Sequence, residues 1–295
     1  MRSGFVSIVG RPNVGKSTLL NSILERKIAI TSNVSGTTRN IIQGIYNDSD
    51  SQIVFIDTPG IHKPVNRLGT YMNEKAYTMT EDVDVILFLV DVTKPFGKGD
   101  NFVLNKIKDL NKPVLLILNK VDQVNKRELL NIIDKYKDIY DFSEIIPISA
   151  LKNDNIEDLI STIKKYLTDD VMYYSEEEVT NISKEFFIAE VVREKILRLT
   201  KDEVPHTVTC VVESYEEYEK YIEIGVLIVV DRDNLKKILI GKQGSMLKKV
   251  GTLARADIEE FLGKQVNLKT YVKTIENWRE KEKYLNELGL NELNN

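Results

Sequence analysis

Short apolar runs alternate with longer amphipathic stretches over the first 168 residues of the chain. Strand-like runs begin at Phe5, Ile53, Val85, Val114 and Ile145, and helix-like segments lie between them. This alternation is typical of a mostly parallel β-sheet with helices on both faces. A helical segment at 156–167 ends the pattern. We therefore predict an α/β domain over residues 1–168.

The pattern changes after a polar, acidic stretch at 169–184, which includes consecutive glutamates at 176–178 and predicts a solvated linker. A helix-like segment, two strand-like runs, two helical segments and a last strand-like run follow. They lie at 185–199, 207–214, 221–231, on both sides of 241–244, and at 266–275. This α-β-β-α-α-β order predicts an α+β domain at 185–280, followed by a C-terminal tail at 281–295.

Composition agrees with two modest domains, because 295 residues with 42% hydrophobic content allow each domain a core of its own. The one cysteine, Cys210, excludes a disulfide framework and lies in a strand-like run, where we expect a buried thiol. The longest apolar runs, at 85–90 and 224–230, are too short to span a bilayer. We expect a soluble, cytosolic protein.

A phosphate-binding motif follows the first strand-like run. The sequence at 10–17 fits G-x-x-x-x-G-K-[ST], in which backbone N–H groups surround phosphates at the start of a helix. Lys16 is expected to reach the β- and γ-phosphates, and Ser17 to bind Mg²⁺. The residues of this predicted phosphate loop are Gly10, Arg11, Pro12, Asn13, Val14, Gly15, Lys16, Ser17 and Thr18. The loop alone does not distinguish ATP from GTP.

A second motif, at the end of the strand-like run 114–118, supplies that distinction. It consists of Asn119, Lys120, Val121 and Asp122. The Asp122 carboxylate can accept hydrogen bonds from N1–H and the exocyclic amine of guanine, whereas adenine has no such donor pair. After the strand-like run 145–148, Ser149 and Ala150 are expected to contact guanine O6 through backbone N–H groups. The chain is therefore predicted to bind GTP and GDP.

A third motif, Asp57-Thr58-Pro59-Gly60, closes the strand-like run 53–56. Asp57 is expected to hold a water on Mg²⁺, and the Gly60 N–H to meet the γ-phosphate, a bond that exists only in the triphosphate state. One threonine at 37–38 would complete the metal ligands; we favour Thr38, with Thr37 as the alternative. The predicted catalytic residues are Lys16, Thr38 and Gly60, and the predicted Mg²⁺ ligands are Ser17, Thr38 and Asp57.

We count Ile61, the residue after Gly60, among the nucleotide-binding residues together with those at 57–60. Ras-type enzymes carry a glutamine that orients water at this position. An isoleucine cannot do this, so we expect slow intrinsic hydrolysis. Asn13 offers a neutral oxygen that could hold K⁺ beside the phosphate; alternatively, it only stabilises its loop. Two other polar residues have open roles: His62 is either a general base or an exposed switch residue, and Arg39 either stabilises the transition state or anchors the mobile loop.

The second domain contains a G-x-x-G sequence between two predicted helices, as in the loop that clamps single-stranded nucleic acid in KH domains. It is also compatible with an ordinary helix–turn–helix connection. The segment 234–256 carries only basic charges, although the whole chain has a net charge of −4, which favours a phosphate-tracking surface. The predicted RNA contacts are Ile240, Gly241, Lys242, Gln243, Gly244, Lys248 and Lys249. Tyr271 and Trp278 either stack on bases or pack against the sheet.

Six segments, in order, resemble the Era family of bacterial GTPases. They lie at 10–17, 37–39, 57–60, 204–206, 240–249 and 272–279, so the resemblance covers essentially the whole chain. It implies a P-loop GTPase of the TRAFAC class followed by a type II KH domain. It further implies binding to 16S rRNA near its 3′ end, a role in assembly of the 30S subunit, and peripheral attachment to the inner membrane. Era-like proteins share the apolar residue at the position of Ile61.

Two other functions remain open from the sequence. The chain could be a membrane-associated signalling GTPase whose second domain binds protein instead of RNA, with an inert G-x-x-G loop. It could also be a nucleotide-gated binding module with negligible turnover, as Ile61 would allow. No heptad run or large apolar helix indicates an obligate oligomer, so we expect a monomer.

Overall fold

The apolar runs of the first half of the chain form a six-stranded sheet. Its strands are β1 Arg2–Val9, β2 Ile42–Asn47, β3 Ser51–Asp57, β4 Val85–Asp91, β5 Val114–Asn119 and β6 Glu144–Ile148. They lie in the order β2-β3-β1-β4-β5-β6. All neighbouring pairs are parallel except β2 and β3. The mostly parallel sheet predicted from the sequence is confirmed. The prediction lacked β2, an edge strand that has no continuous apolar run.

Helices connect these strands: α1 Lys16–Ile23, α2 Arg67–Glu81, α3 Lys98–Ile107, α4 Lys126–Lys137 and α5 Ile156–Ile163. Every residue of β4 and β5 is buried, as expected for parallel strands covered on both faces. The three nucleotide motifs follow the carboxyl ends of β1, β3 and β5. Loops at this edge of an open α/β sheet are the usual location of a ligand site.

The computed structural model describes residues 1–290, and the chain forms two compact units. The first unit comprises Met1–Ala29, Thr38–Val65 and Gly69–Asn181; the second comprises Ile30–Thr37, Asn66–Leu68 and the chain from Ile182 onward. Each unit has its own hydrophobic core. Within the described residues, no helix is long and apolar enough to cross a membrane.

The predicted linker is attached to the first unit over most of its length. The Ile45 N–H donates to the Val179 carbonyl at 2.8 Å, and Gly44 pairs with Thr180. The Gln52 side chain accepts hydrogen bonds from the backbone N–H groups of Tyr173 and Tyr174, at 2.7 and 3.0 Å. The glutamates at 176–178 are exposed, and so are Val171, Met172 and Tyr173 earlier in the linker.

The second unit contains a three-stranded sheet in the order β7-β8-β9. Its elements are α6 Lys184–Leu199, α7 Val204–Thr207, β7 Thr209–Glu217, β8 Tyr221–Val230, α8 Asp233–Ile240, α9 Ser245–Leu262, β9 Gln265–Thr274 and α10 Glu282–Glu287. Strands β7 and β8 are antiparallel, whereas β8 and β9 are parallel. The predicted element order is present, with the short helices α7 and α10 in addition. Of the predicted tail at 281–295, residues 291–295 lie outside the described part.

Two side chains that the sequence singled out belong to the core of this unit. Cys210 is a buried free thiol. Trp278 is fully buried, and its Nε1–H donates to the Thr207 carbonyl at 2.9 Å. Packing, and not base stacking, is therefore the role of Trp278. Tyr271 on β9 is about half exposed, at 53%.

Candidate nucleotide and nucleic-acid sites

Three oxygen-bearing side chains converge beside the phosphate loop. Ser17 Oγ donates to Asp57 Oδ2 at 2.6 Å and lies 2.8 Å from Thr38 Oγ1. Asp57 is fully buried, and its Oδ1 has no hydrogen-bond partner among residues 1–290. Hydroxyl and carboxylate oxygens are the ligands that Mg²⁺ prefers. The chemistry of this cluster therefore fits the predicted metal site.

The structure also distinguishes the two candidate threonines. Thr37 Oγ1 donates to the Val34 carbonyl at 2.6 Å and lies 2.6 Å from Ser32 Oγ. Its hydroxyl is thus engaged inside the segment that precedes the cluster. The Thr38 hydroxyl, by contrast, lies 2.8 Å from Ser17 Oγ, which favours Thr38 over Thr37 as the metal ligand.

Lys16 lies buried under the phosphate loop. Its Nζ donates to the carbonyl oxygens of Gly10 and Arg11, at 3.2 and 3.3 Å. Burial lowers the pKa of Lys16 to about 8, although Asp57 opposes the shift. Burial also raises the pKa of Asp57 to about 6, against the effects of Lys16 and Ser17. Both pKa shifts have the same main cause, which is that burial disfavours the charged form of each side chain. Bound phosphate would compensate the lysine charge.

Asn119 joins three loops of the predicted guanine site. Its Nδ2–H donates to the Val14 carbonyl at 2.8 Å, and its Oδ1 accepts the N–H groups of Lys120 and Ala150, at 2.8 and 3.0 Å. A Cβ on Gly15 would lie 2.3 Å from Asn119 Nδ2, so this glycine permits the contact. The Ala150 N–H, expected to face guanine O6, donates to Asn119 in this structure.

Lys120 and Asp122 are held by further polar contacts. Lys120 Nζ donates to the Asn13 carbonyl at 3.0 Å and to Asp91 Oδ2 at 2.6 Å. Ser149 Oγ donates to Asp122 Oδ1 at 2.6 Å and so orients the predicted guanine-reading carboxylate. Val121 begins the short 3₁₀ turn that carries Asp122. These contacts bring the predicted base and phosphate loops together in the first unit.

The motif at 57–60 packs closely on the phosphate loop. Thr58 Oγ1 donates to the Ile8 carbonyl at 2.9 Å, and the Ile61 N–H donates to the Gly10 carbonyl at 3.3 Å. A Cβ on Gly60 would lie 2.9 Å from the backbone N and Cα of Pro12. Glycine is therefore required at position 60 by close approach. Pro59 lies between these two contacts in the chain.

The side chain of Ile61 packs in the apolar core and not at the phosphate site. Its side chain is 1% exposed and belongs to the core cluster of the first unit. His62 is half-buried rather than exposed, and its Nδ1 lies 2.7 Å from the Gly60 carbonyl oxygen. The Asn73 side chain bonds the His62 backbone on both sides, at 3.3 and 2.6 Å. Arg39, the other residue of open role, is buried.

Two acidic residues that support the site, Asp100 and Asp91, were not predicted from the sequence. Arg11 Nε lies 3.1 Å from Asp100 Oδ1, and Asp100 is buried at the start of α3. Burial raises the pKa of Asp100. Asp91, the partner of Lys120, ends β4. A polar residue at the carboxyl end of a buried strand is a recognisable signal, so Asp91 was identifiable, whereas the pairing of Arg11 with Asp100 was not.

In the second unit, the sequence Gly241-Lys-Gln-Gly244 forms a tight turn between α8 and α9. Ile240 is the last residue of α8, and the Gly241 N–H donates to the Lys237 carbonyl at 3.0 Å. Gly241 has φ +73°, and a Cβ there would lie 2.9 Å from the Met246 backbone nitrogen. Gly244 has φ +78° with open space around it. Lys242 and Gln243, between the glycines, are exposed.

A groove of about 340 Å³ continues from this turn between α9 and β9. Its lining residues are Gly244, Leu247, Lys248, Gly251, Thr252, Arg255, Asn267, Leu268 and Thr270. Lys248, Lys249 and Arg255 are exposed on α9. Of these lining residues, the predicted RNA contacts include Gly244 and Lys248. The three residues on β9 could not be predicted, because the sequence pattern does not show which strand lies beside α9.

Both parts of the chain match known protein families. Residues 5–120 match the family model of the 50S ribosome-binding GTPases, and residues 203–279 match that of the KH domain. A crystal structure of Era in complex with MgGDPNP and nucleotides 1506–1542 of 16S ribosomal RNA is 40% identical to this chain. The TM-score is 0.96, and the match covers 98% of this chain and 99% of that one.

The chain belongs to the Era family. A structure of an Aquifex aeolicus Era variant bound to GDP·AlF₄⁻ is also 40% identical, with a TM-score of 0.95 over 98% of this chain and 99% of that chain. The resemblance stated from the sequence is confirmed, as is an Era-like P-loop GTPase domain followed by a KH domain. The protein is therefore a GTPase of the Era family with a C-terminal KH domain.

Proposed function

We propose that this Era-family protein is a GTP-hydrolysing switch that binds the 3′ region of 16S rRNA through its KH domain and assists assembly of the 30S subunit. The proposal that the KH domain binds RNA rests on the Gly241–Gly244 turn, which lies beside a groove lined by basic residues of α9. The Era structure with 16S RNA supports the choice of RNA.

In the nucleotide site, Ser17 and Thr38 would bind Mg²⁺ directly, and Asp57 would hold one of its water ligands. Bound Mg²⁺ would neutralise charge that develops on the β- and γ-phosphates. Lys16 would contact the same phosphates, and the Gly60 N–H would donate to the γ-phosphate. Asp122 would read the guanine base, with Asn119 holding its loop against the phosphate loop. The Era structure in complex with MgGDPNP supports the choice of Mg²⁺ and a guanine nucleotide as ligands.

Slow intrinsic hydrolysis is the second part of the proposal. Ile61 occupies the position of the water-orienting glutamine and is buried in the core, so the side chain cannot direct a nucleophilic water. The remaining groups are Lys16, backbone N–H groups and the metal. We expect single-turnover GTP hydrolysis to be slow but measurable. A complete absence of turnover in K⁺ buffer would favour a nucleotide-gated binding module.

A monovalent cation bound beside the phosphates is a candidate for additional positive charge in the nucleotide site. Asn13 has a left-handed backbone, with φ 66°, and its carbonyl accepts a bond from Lys120. This anchoring keeps Asn13 within the phosphate loop, where its side-chain oxygen would hold K⁺. Equal hydrolysis rates in K⁺ and Na⁺ at matched ionic strength would remove the idea.

The switch would act through 34–40 and 60–81, which the γ-phosphate would order and hydrolysis would release. GTP would thereby load the RNA-competent state. Three further expectations stay predictions: contact with the 30S subunit itself, a monomeric state, and a cytosolic location with peripheral attachment to the membrane. The signalling GTPase that binds protein remains the alternative.

The RNA proposal is tested with the double substitution Gly241→Asp and Gly244→Asp. Added carboxylates would repel the RNA backbone, so binding of an RNA with the 16S 3′-terminal sequence should be lost in fluorescence anisotropy. The double substitution Lys184→Gln and Lys283→Gln changes the net charge equally at exposed positions and should bind normally. Lys242→Glu is a milder second variant, because it leaves the glycine turn intact. Unchanged RNA binding by a folded glycine variant would favour the signalling alternative.

A further inference from the structure

Helix α6 buries three consecutive charged residues, Arg193, Glu194 and Lys195. The free energy cost of burying a charge is large unless the charge is paired and hydrogen-bonded. Most other residues of this helix from Phe187 to Leu197 are apolar and buried, as in a helix within a core. The three charges therefore need specific partners, and the partners indicate what the helix does.

Arg193 is fully buried and clamped by Glu190. Its Nε donates to Glu190 Oε1 at 2.7 Å, and its Nη2 donates to Glu190 Oε2 at 2.6 Å. Burial acts to lower the pKa of Arg193, but Glu190 outweighs burial and raises it, so the guanidinium stays charged. The same Nη2 donates to the carbonyl oxygen of Thr37. Because Glu190 fixes the plane of the guanidinium, this last bond has a defined direction.

The segment 31–37 is also held at its other end by α6. Glu194 Oε1 accepts the Thr31 N–H at 3.0 Å, and Arg198 Nη2 donates to the Thr31 carbonyl at 3.2 Å. Inside the segment, the Thr37 hydroxyl donates to the Val34 carbonyl and lies within hydrogen-bond distance of Ser32 Oγ. The segment is thus a closed loop with both ends anchored on one helix. Both ends and α6 belong to the second unit.

The Thr37 carbonyl belongs to the peptide bond whose nitrogen is that of Thr38. The orientation of this peptide plane restricts where the Thr38 backbone, and hence its hydroxyl, can lie. Thr38 Oγ1 lies 2.8 Å from Ser17 Oγ in the oxygen cluster. A group that fixes the Thr37 carbonyl therefore acts on the position of the Thr38 hydroxyl.

We infer that Arg193 is a positioning residue for GTP hydrolysis: by holding the Thr37 carbonyl, it keeps the Thr38 hydroxyl in the oxygen cluster with Ser17 and Asp57. The inference rests on the proposed function, in which Thr38 binds Mg²⁺ in the triphosphate state. Arg193 itself touches neither nucleotide nor metal in this account.

The position of Arg193 on α6 also connects this loop with the RNA-binding helix. The ring of Phe187 on α6 packs against that of Phe261 on α9, with the ring centroids 4.1 Å apart. Lys195 forms an ion pair with Asp257 of α9. Helix α9 begins at the Gly244 turn and carries Lys248 and Lys249. One helix of the second unit therefore contacts both the loop before Thr38 and the helix that presents the basic groove.

The test is Arg193→Met, which removes the charged fork and keeps much of the side-chain length. We expect the Mg²⁺ concentration for half-maximal GTP hydrolysis to rise about tenfold, as for loss of one charged hydrogen bond. GDP affinity should stay the same, because the Thr38 contact is proposed for the triphosphate state only. Hydrogen–deuterium exchange of a peptide covering 31–38, with a non-hydrolysable GTP analogue bound, should become faster. Arg193→Lys keeps the charge but lacks the forked guanidinium. Its Mg²⁺ concentration for half-maximal hydrolysis should lie between those of the wild type and Arg193→Met.

Lys184→Met is the control, since Lys184 is exposed at the start of the same helix. Thr38→Ala distinguishes the proposed metal role of Thr38 from the proposed positioning role of Arg193. If Thr38→Ala leaves the Mg²⁺ dependence unchanged, the proposed metal role of Thr38 is wrong. If Thr38→Ala changes it but a folded Arg193→Met does not, the positioning role alone is wrong. Should Arg193→Met fail to fold, Glu190→Gln, which loosens the clamp, must shift the Mg²⁺ dependence in the same direction or the inference is overturned.

Discussion

Asn119 Nδ2 donates a hydrogen bond to the carbonyl oxygen of Val14 at 2.8 Å, so the base-reading motif is tied directly to the phosphate loop. The same side chain accepts the Ala150 N–H at 3.0 Å. Asn119 is 2% exposed. Three loops that are distant in the sequence therefore depend on one amide.

Asn119→Ala is expected to weaken GDP and GTP binding alike. The substitution removes the bonds to Val14 and Ala150 and leaves buried backbone groups unpaired, which costs about 1–3 kcal/mol for each group. Both dissociation constants should rise at least about tenfold in a fluorescent-nucleotide titration. An effect on GTP alone would contradict a role that is independent of the γ-phosphate.

Gly60→Ala is expected to slow hydrolysis while GDP binding persists. The new methyl group would lie 2.9 Å from Pro12 atoms, so the backbone at position 60 must move away from the phosphate loop. Loss of the proposed N–H contact to the γ-phosphate should reduce the single-turnover rate about tenfold or more. Gly97→Ala is the matched control, because the nearest atom to its Cβ is 3.8 Å away. Equal single-turnover rates for the two variants would contradict the proposed contact between the Gly60 N–H and the γ-phosphate.

Ile61→Gln is expected not to accelerate hydrolysis, although it introduces the residue that Ras-type enzymes use. The side chain at this position is buried in the core of the first unit, so glutamine would bury an amide at a cost of about 1–3 kcal/mol. The melting temperature should fall more than for Ile61→Val, whose cost is about 0.5–1.5 kcal/mol. Faster single-turnover hydrolysis by the glutamine variant would show that this side chain can reach the nucleophilic water.

Asp48 makes stability depend on pH in the acid range. Burial acts to raise its pKa, but hydrogen bonds from Lys164, Ser51 and the Asp50 backbone outweigh it and hold the pKa well below its usual range. A lowered pKa in the folded state means that the unfolded state binds more protons. The stabilisation is therefore present above the ordinary pKa of about 4 and is lost as the pH falls below it.

Asp48→Asn should consequently lower the free energy of unfolding near neutral pH and flatten its decline between about pH 5 and about pH 3. Urea titrations of the wild type and the variant at several pH values measure this. The exposed Asp141, changed to Asn, serves as the control and should leave the decline as it is. A variant as pH-dependent as the wild type would mean that Asp48 contributes nothing there.

Local motifs explain why much of the nucleotide site was predictable. The phosphate loop, Asp57 to Gly60 and Asn119 to Asp122 each follow the end of a strand-like run, so their residues share one edge of the sheet. By contrast, β2 is an edge strand without an apolar run. The linker contacts the backbone of β2 and the Gln52 side chain of the neighbouring β3. No local pattern contains that pairing.

Long-range partners account for the other omissions. Arg11 with Asp100, and Arg193 with Thr37, are pairs that only the folded chain brings together. Buried charges on a helix are nevertheless a signal: Arg193, Glu194 and Lys195 interrupt an apolar stretch. The groove beside the glycine turn required the placement of β9 next to α9, which the order of elements leaves open.

RNA-coupled GTP hydrolysis is tested most directly by measuring GTP turnover in K⁺ buffer, with and without an RNA carrying the 16S 3′-terminal sequence. The Gly241→Asp and Gly244→Asp double variant is measured in parallel. An RNA-coupled switch predicts that the RNA changes the turnover of the wild type and leaves that of the variant unchanged. Tight RNA binding without any change in turnover, or no RNA binding at all, would contradict it.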